Sequence, residues 1–203
     1  MSASATSVSA HEWLKNGAPL INTEPILTSS SLFQLIIHLP PIVGPPKEIS
    51  CTSVKGLGTV GRGGIGEETT IHFANCKTAQ AGCDVRSTGS PNGLIIAKNV
   101  QTLLVERETF SKTKVLAEEL KSNPTTKEFV TLQFLSLTIK SCAESPEVRI
   151  KGNVAARVDN PTELFEFPSP ELKGNTLEGL GSAVSLFGSV HYMLINGGAL
   201  AAD

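Results

Sequence analysis

The stretch GLGTVGRGGIG, residues 56–66, contains two overlapping copies of the spacing G-x-G-x-x-G, the outline of a dinucleotide-binding loop. In such a loop the glycines let a pyrophosphate approach backbone N–H groups at the start of a helix, so a helix must follow. Here the segment that follows is EETTIHF, which is β-branched, alternating and led by two acids that would repel a phosphate. We therefore interpret the stretch as a loop of turns and bulges between the strand of Cys51 and the strand that ends at Cys76, and we predict no cofactor.

The four cysteines are the second group that could do chemistry. They include no C-x-x-C pair, which argues against a structural zinc site and against a thioredoxin-type motif. Four cysteines allow three connectivities, and we favour Cys76–Cys83 as a local staple because a Gly-containing hairpin tip lies between them. That choice leaves Cys51–Cys142 as a long-range bridge. Four buried free thiols are the alternative; two disulfides would indicate an oxidising compartment.

Histidine and aspartate are too sparse to suggest a metal site. No two histidines have the H-x-H or H-x-x-x-H spacing that would place two ligands together, and calcium loops depend mainly on Asp. The histidines are His11, His38, His72 and His191, and the aspartates are Asp84, Asp159 and Asp203. We predict no metal.

The sequence also lacks a recognisable catalytic motif. No G-x-S-x-G nucleophile elbow occurs. Carboxylates are paired at Glu106 with Glu108 and at Glu118 with Glu119, and a glycosidase would need two carboxyl groups facing each other across a cleft. We interpret the first pair as one solvated face of a strand with Arg107 on the other face. We therefore predict no catalytic residues and no enzyme, and a hydrolase is the less favoured possibility.

Composition and charge exclude further classes. The net charge is −2 and no run of Lys or Arg is present, so the basic footprint of a nucleic-acid-binding protein is missing. Aromatic residues make up only 5%, which disfavours a stacking platform for sugars but leaves polar sugar recognition open. The longest apolar run, residues 35–39, is too short to span a bilayer.

Strand signals dominate the pattern that must position these residues. β-branched segments with period-two alternation recur between Gly, Pro and Asn turn signals, which is typical of an antiparallel β-sandwich or flattened barrel. In EVRIKGNVAARV the alternation places Val148, Ile150, Gly152, Val154, Ala156 and Val158 on one face. Residues 114–122 are either a short helix or one edge of a hairpin. We expect a flexible arm over 1–10 and a single β domain over 11–203, stapled by disulfides.

Several segments resemble a group of uncharacterised secreted all-β proteins from soil actinobacteria. They are EWLKNGAPL with its W-x-x-N-G start, ISCTSVKGLGTVG, the cysteine-bearing IHFANCKTAQAGCDVRST, TIKSCAESPEV and the Gly-rich LKGNTLEGLGSAVSLFGSVHYMLINGGALAA. The resemblance runs from about residue 12 to the C-terminus and implies an exported β-rich protein. It implies no activity, because none is established for that group. The one departure is that this chain starts without a leader segment, which suggests that a leader was removed.

These observations lead to three expectations of function. The first is a non-catalytic exported structural or surface-associated protein that self-associates through strand edges or the N-terminal arm, with itself or cell-surface material as partner. The second is an extracellular ligand- or glycan-binding module. The third is a hydrolase. We expect secretion or a cell-surface location, with no nucleic-acid partner and no membrane span.

Overall fold

The structure is a computed structural model that describes residues 11–30, 33–37, 48–136, 142, 147–159, 164–167 and 172–203. The fold is all-β, antiparallel and held by two disulfides, which confirms the predicted fold class. The predicted arm over residues 1–10 and His38 lie outside the described residues.

The described strands follow the predicted alternation closely. They are β1 (Trp13–Lys15), β2 (Ala18–Pro19), β3 (Glu24–Ser30), β4 (Phe33–Ile37), β5 (Glu48–Cys51), β6 (Ser53–Val60), β7 (Ile65–Ala74), β8 (Lys77–Thr78), β9 (Asp84–Ser87), β10 (Ile95–Glu108), β11 (Lys114–Lys121), β12 (Val130–Leu135), β13 (Val148–Ile150), β14 (Asn153–Asp159), β15 (Leu164–Phe167), β16 (Glu178–Gly179), β17 (Ser182–Leu194) and β18 (Leu200–Ala202). A 3₁₀ turn, Arg62–Gly64, joins β6 to β7.

The main sheet closes on itself. The strands β3, β6, β7, β10, β11, β14, β15 and β17 each pair antiparallel with the next, and β17 pairs back with β3. We call these eight strands the ring. Closure is possible because β17 uses one edge for β15 and the other edge for β3 and β4. Two small sheets flank the ring, β18-β1-β2 and β13-β12-β9.

The main core lies inside the ring. Period-two alternation sends every second side chain of β6 and β17 inward, and one buried cluster extends from Trp13 to Ala202. The Trp13 ring packs against Tyr192 with 6.1 Å between the ring centroids. A second, small cluster of Ala117, Ala155 and Leu172 covers part of the outer surface.

Two local predictions need correction. Residues 114–121 are the strand β11, hydrogen-bonded to β10 and β14, so the helical alternative for 114–122 is wrong and the hairpin alternative is correct. The segment EVRIKGNVAARV has the predicted core face but forms two strands that belong to different sheets. The break lies at Gly152, whose φ is +98°, and a side chain there would clash with the Thr176 carbonyl.

All four cysteines form disulfides, but the favoured pairing is wrong. The bridges are Cys51–Cys76 and Cys83–Cys142. The reason is strand pairing: β8 follows Cys76 directly and pairs with β5, whose last residue is Cys51, so these two cysteines face each other. Disulfides indicate an oxidising environment. In the described part of the chain, no helix is long and apolar enough to cross a membrane.

Candidate functional site

Five polar side chains lie together inside the ring, each on a different strand. All are buried, with exposed fractions between 0% and 4%. We call them the interior polar cluster: Thr28 on β3, Glu68 on β7, Thr102 on β10, Glu118 on β11 and Tyr192 on β17. A buried carboxyl group is expensive unless it is neutral or well partnered, so a cluster with two of them is the first place to look for function.

The alternation of each strand explains why these side chains point inward. On β11, Glu118 lies between Leu116 and Leu120, and all three face the main core. Its neighbour Glu119 points outward and forms ion pairs with Arg107 and Lys121. The sequence pair Glu118–Glu119 is therefore divided between the two faces of the sheet. The structure instead brings Glu118 together with Glu68, which the sequence analysis did not single out.

Glycines of the stretch 56–66 make room for this cluster. A Cβ atom on Gly56 or on Gly58 would lie 3.0 Å from Glu68 Oε2. A Cβ atom on Gly66 would collide with the Thr102 hydroxyl. The prediction of a loop is therefore only partly correct. Residues 61–64 connect two strands, but Gly56, Gly58 and Gly66 lie inside β6 and β7, where they allow polar side chains to approach the backbone closely.

Hydroxyl groups are the partners of the two buried carboxyl groups. The Thr28 hydroxyl donates a hydrogen bond to Glu68 Oε1. The Tyr192 hydroxyl interacts with both Glu68 and Glu118, and the Thr102 hydroxyl interacts with Glu118. By strict hydrogen-bond geometry, however, neither oxygen of Glu118 accepts a hydrogen bond from a described residue.

Burial governs the charge state of the cluster. It raises the pKa of Glu68 to about 7, against smaller lowering effects of Thr28 and Tyr192. It raises the pKa of Glu118 to about 8, where Tyr192 and Thr102 lower the pKa and the nearby Glu68 raises it. Burial and the two carboxyl groups raise the pKa of Tyr192 well above its ordinary value. The cluster is therefore uncharged in mildly acidic solution and begins to ionise near neutral pH.

The space beside the cluster is very small. A cavity of about 10 Å³ is lined by Thr28, Glu68, Tyr192 and apolar core residues. That volume corresponds to about one water molecule. Of the two buried carboxyl groups, Glu68 lines this water-sized cavity and Glu118 does not.

The other residues considered from the sequence lie elsewhere. Glu106 and Glu108 are about half-exposed and pair with Lys114 and Lys173, as expected of a solvated strand face. His72 and His191 are exposed on β7 and β17, while His11 bonds the Asp203 carbonyl. Within the described residues, no three metal-binding side chains come together.

A second feature lies on the outer surface of the ring. Leu57, Leu27 and Met193 are direct cross-strand partners on β6, β3 and β17, and Ile195 follows Met193 on the same side. Their exposed fractions are 50%, 39%, 47% and 50%. We call these four residues the outer apolar row. Contiguous apolar surface of this kind on a folded protein is typical of an interaction site.

Comparisons with protein-family models, with curated proteins and with solved structures find no match for this chain.

Proposed function

We propose that this chain is a non-catalytic exported protein with a structural or surface-associated role, and that it self-associates. The observation that carries the proposal is the outer apolar row. Three large apolar side chains in register on three adjacent strands, together with Ile195 just after the last of these strands, present an apolar strip to solvent. Burying such a strip against a second copy removes apolar surface from water, at roughly 25 cal/mol per Å².

The charges beside the row suit a second copy of the chain. Lys55, two residues before Leu57 on β6, lies on one side of the row. Glu67 on β7 lies on the other side, opposite Thr59. A twofold axis along the row would place the basic side of one copy against the acidic side of the other, which is the self-complementarity that a symmetric dimer requires.

Closure of the ring favours the outer face over the strand edges as the route of association. Both edges of each ring strand have a partner strand along part of their length. The edge strand β8 of the same sheet has only two residues, which gives a second chain few backbone groups to pair with. Association through residues 1–10 stays a prediction, because these residues lie outside the described part of the chain.

The remaining features agree with an exported, non-catalytic role. The two disulfides suit an extracellular protein or a protein at the cell surface. The cavity beside the buried Glu68 carboxyl group has a volume of only about 10 Å³, which is too small for an organic substrate. Cell-surface material is the alternative partner for the outer apolar row.

Sedimentation velocity over a range from micromolar to millimolar protein tests the proposal. We expect the weight-average sedimentation coefficient to rise with concentration, and we expect the double variant Leu27→Ser, Met193→Ser to stay monomeric. Ile21→Ser is the matched control, since Ile21 is 86% exposed but is not part of the row. A wild-type chain that stays monomeric throughout and does not bind cell-surface preparations would refute the proposal.

A further inference from the structure

A cleft of about 310 Å³ lies on the surface between two parts of the chain. One wall comes from β9 and β10 with the turn between them, and the other wall comes from residues 123–131. The cleft shares no residue with the outer apolar row or with the interior polar cluster. Its volume falls at the lower end of the range for sites that hold small molecules.

An irregularity in β10 directs two polar side chains to this cleft. Ala97 and Val100 are both buried, so Lys98 and Asn99 form two consecutive exposed positions where regular alternation allows one. Asn99 has a φ of +51°, in the left-handed region that residues with a Cβ atom seldom adopt. Such irregularities re-aim side chains and are common beside functional sites.

Three polar groups of the cleft have no partner among the described residues. Lys98 has no carboxylate within ion-pair distance, and neither the Asn99 amide nor the Ser90 hydroxyl takes part in a described hydrogen bond. Ser90 is 8% exposed and is one of the residues that line the cleft. These groups supply one positive charge, one amide and one hydroxyl to the same space.

Other polar groups of the cleft are already engaged. The Ser87 hydroxyl accepts a hydrogen bond from the Ile96 backbone N–H. The Glu128 carboxylate accepts a hydrogen bond from the Thr131 hydroxyl and forms an ion pair with Arg149 at 3.2 Å. The charge of Glu128 is therefore compensated, while the charge of Lys98 is not. The cleft as a whole is suited to an anion.

We propose that this cleft binds a small hydroxylated carboxylate of the sugar-acid type. Lys98 pairs with the carboxylate of the ligand, and Asn99 and Ser90 bond its hydroxyl groups. Ile96 and Phe129, which also line the cleft, contact the C–H face of the ligand. This recognition is polar and needs no stacking platform, in keeping with the low aromatic content of 5%.

Isothermal titration of the full chain with three probes tests the proposal. Glucuronate supplies both the carboxylate and the hydroxyl groups, glucose lacks the charge, and acetate lacks the hydroxyl groups. We expect glucuronate to bind and the other two to bind at least about tenfold more weakly, the loss expected when one charged hydrogen bond is removed. Absence of glucuronate binding, or equal binding of all three probes, would overturn the proposal.

Two substitutions locate the site. Lys98→Met is expected to weaken glucuronate binding at least about tenfold. Lys77→Met is the matched control, because Lys77 is an exposed lysine outside the cleft, and it should leave binding unchanged. Equal effects of the two variants would place binding elsewhere.

Asn99→Gly separates binding from folding. Glycine accepts a positive φ without strain, so the thermal midpoint of this variant should be equal to or higher than that of the wild type. Glucuronate affinity should nevertheless fall, because the amide is lost. Unchanged affinity in Asn99→Gly would show that Asn99 has no part in recognition and would contradict the site as described.

Discussion

Glu68 and Glu118 are on different strands, but their side chains share the interior of the ring, and burial keeps them protonated well above the pKa of 4.5 for an exposed Glu. Between pH 4.5 and the folded-state values of about 7 and about 8, the folded protein binds more protons than the unfolded chain. By linkage, stability must then fall as the pH rises through this window. The contribution of these two groups to stability is fully present below about pH 4.5 and is lost as the pH rises through the folded-state values of about 7 and about 8.

This linkage predicts a specific pH dependence of unfolding. We expect the free energy of unfolding, measured with urea, to fall by a few kcal/mol between about pH 5 and about pH 8. Gln resembles a protonated carboxyl group in shape, so Glu118→Gln should remain folded and lose much of this pH dependence. Glu106→Gln, at a half-exposed position, is the matched control and should keep it. Stability that is flat or rises over this range would contradict the prediction.

Only one member of the interior polar cluster, Glu118, is visible in the sequence as half of a carboxylate pair, and the other half of that pair, Glu119, is not its partner in the fold. Adjacent residues of a strand point to opposite faces, so Glu119 cannot join Glu118. Glu68 and Tyr192 come from strands distant in sequence, and only closure of the ring brings them close. One local signal was available. Glycines at alternating positions of a strand, opposite a Glu, indicate that the Glu side chain occupies the interior space beside them.

At the scale of single elements, β6 shows how glycine can sit inside a strand for a packing reason. Gly56 and Gly58 occupy inward positions where a valine or an isoleucine would normally fill the core. Here the Glu68 side chain fills that space instead. Glycine weakens the strand signal of a sequence, so the pattern of residues 56–66 predicts a loop although its first part is strand. The predicted bulge is present, because the pairing of β6 with β7 shifts register between Leu57 and Gly58.

Gly58→Ala tests this account. The added Cβ atom would lie 2.5 Å from the Glu67 carbonyl oxygen and 3.0 Å from Glu68 Oε2, so backbone or carboxyl must shift. We expect the free energy of unfolding to fall by about 1–3 kcal/mol. The matched control is Gly61→Ala, whose Cβ atom would lie 3.3 Å from the Thr23 hydroxyl and whose effect should be smaller. Equal effects of the two variants in chemical denaturation would argue against the packing role of Gly58.

At the scale of the whole molecule, period-two alternation predicts the strands but not how they join. Each strand of the ring carries its own inward face, and this is a local property that the sequence shows directly. The contact of β15 with β17, which closes the ring, depends on backbone hydrogen bonds between distant segments. No side-chain pattern encodes this strand pairing, so the sequence predicts a sandwich and a flattened barrel equally well.

The disulfides show the same limit, and their pairing can be tested chemically. Nearness in sequence favours Cys76–Cys83, whereas pairing of β5 with β8 joins Cys51 to Cys76 and leaves Cys83 for Cys142. Trypsin places the four cysteines in four separate peptides, residues 48–55, 63–77, 78–86 and 141–149. Without reduction, mass spectrometry should find the first joined to the second and the third joined to the fourth, with reduced protein as the control. A bridge between peptides 63–77 and 78–86 would contradict the strand pairing that positions Cys76 opposite Cys51.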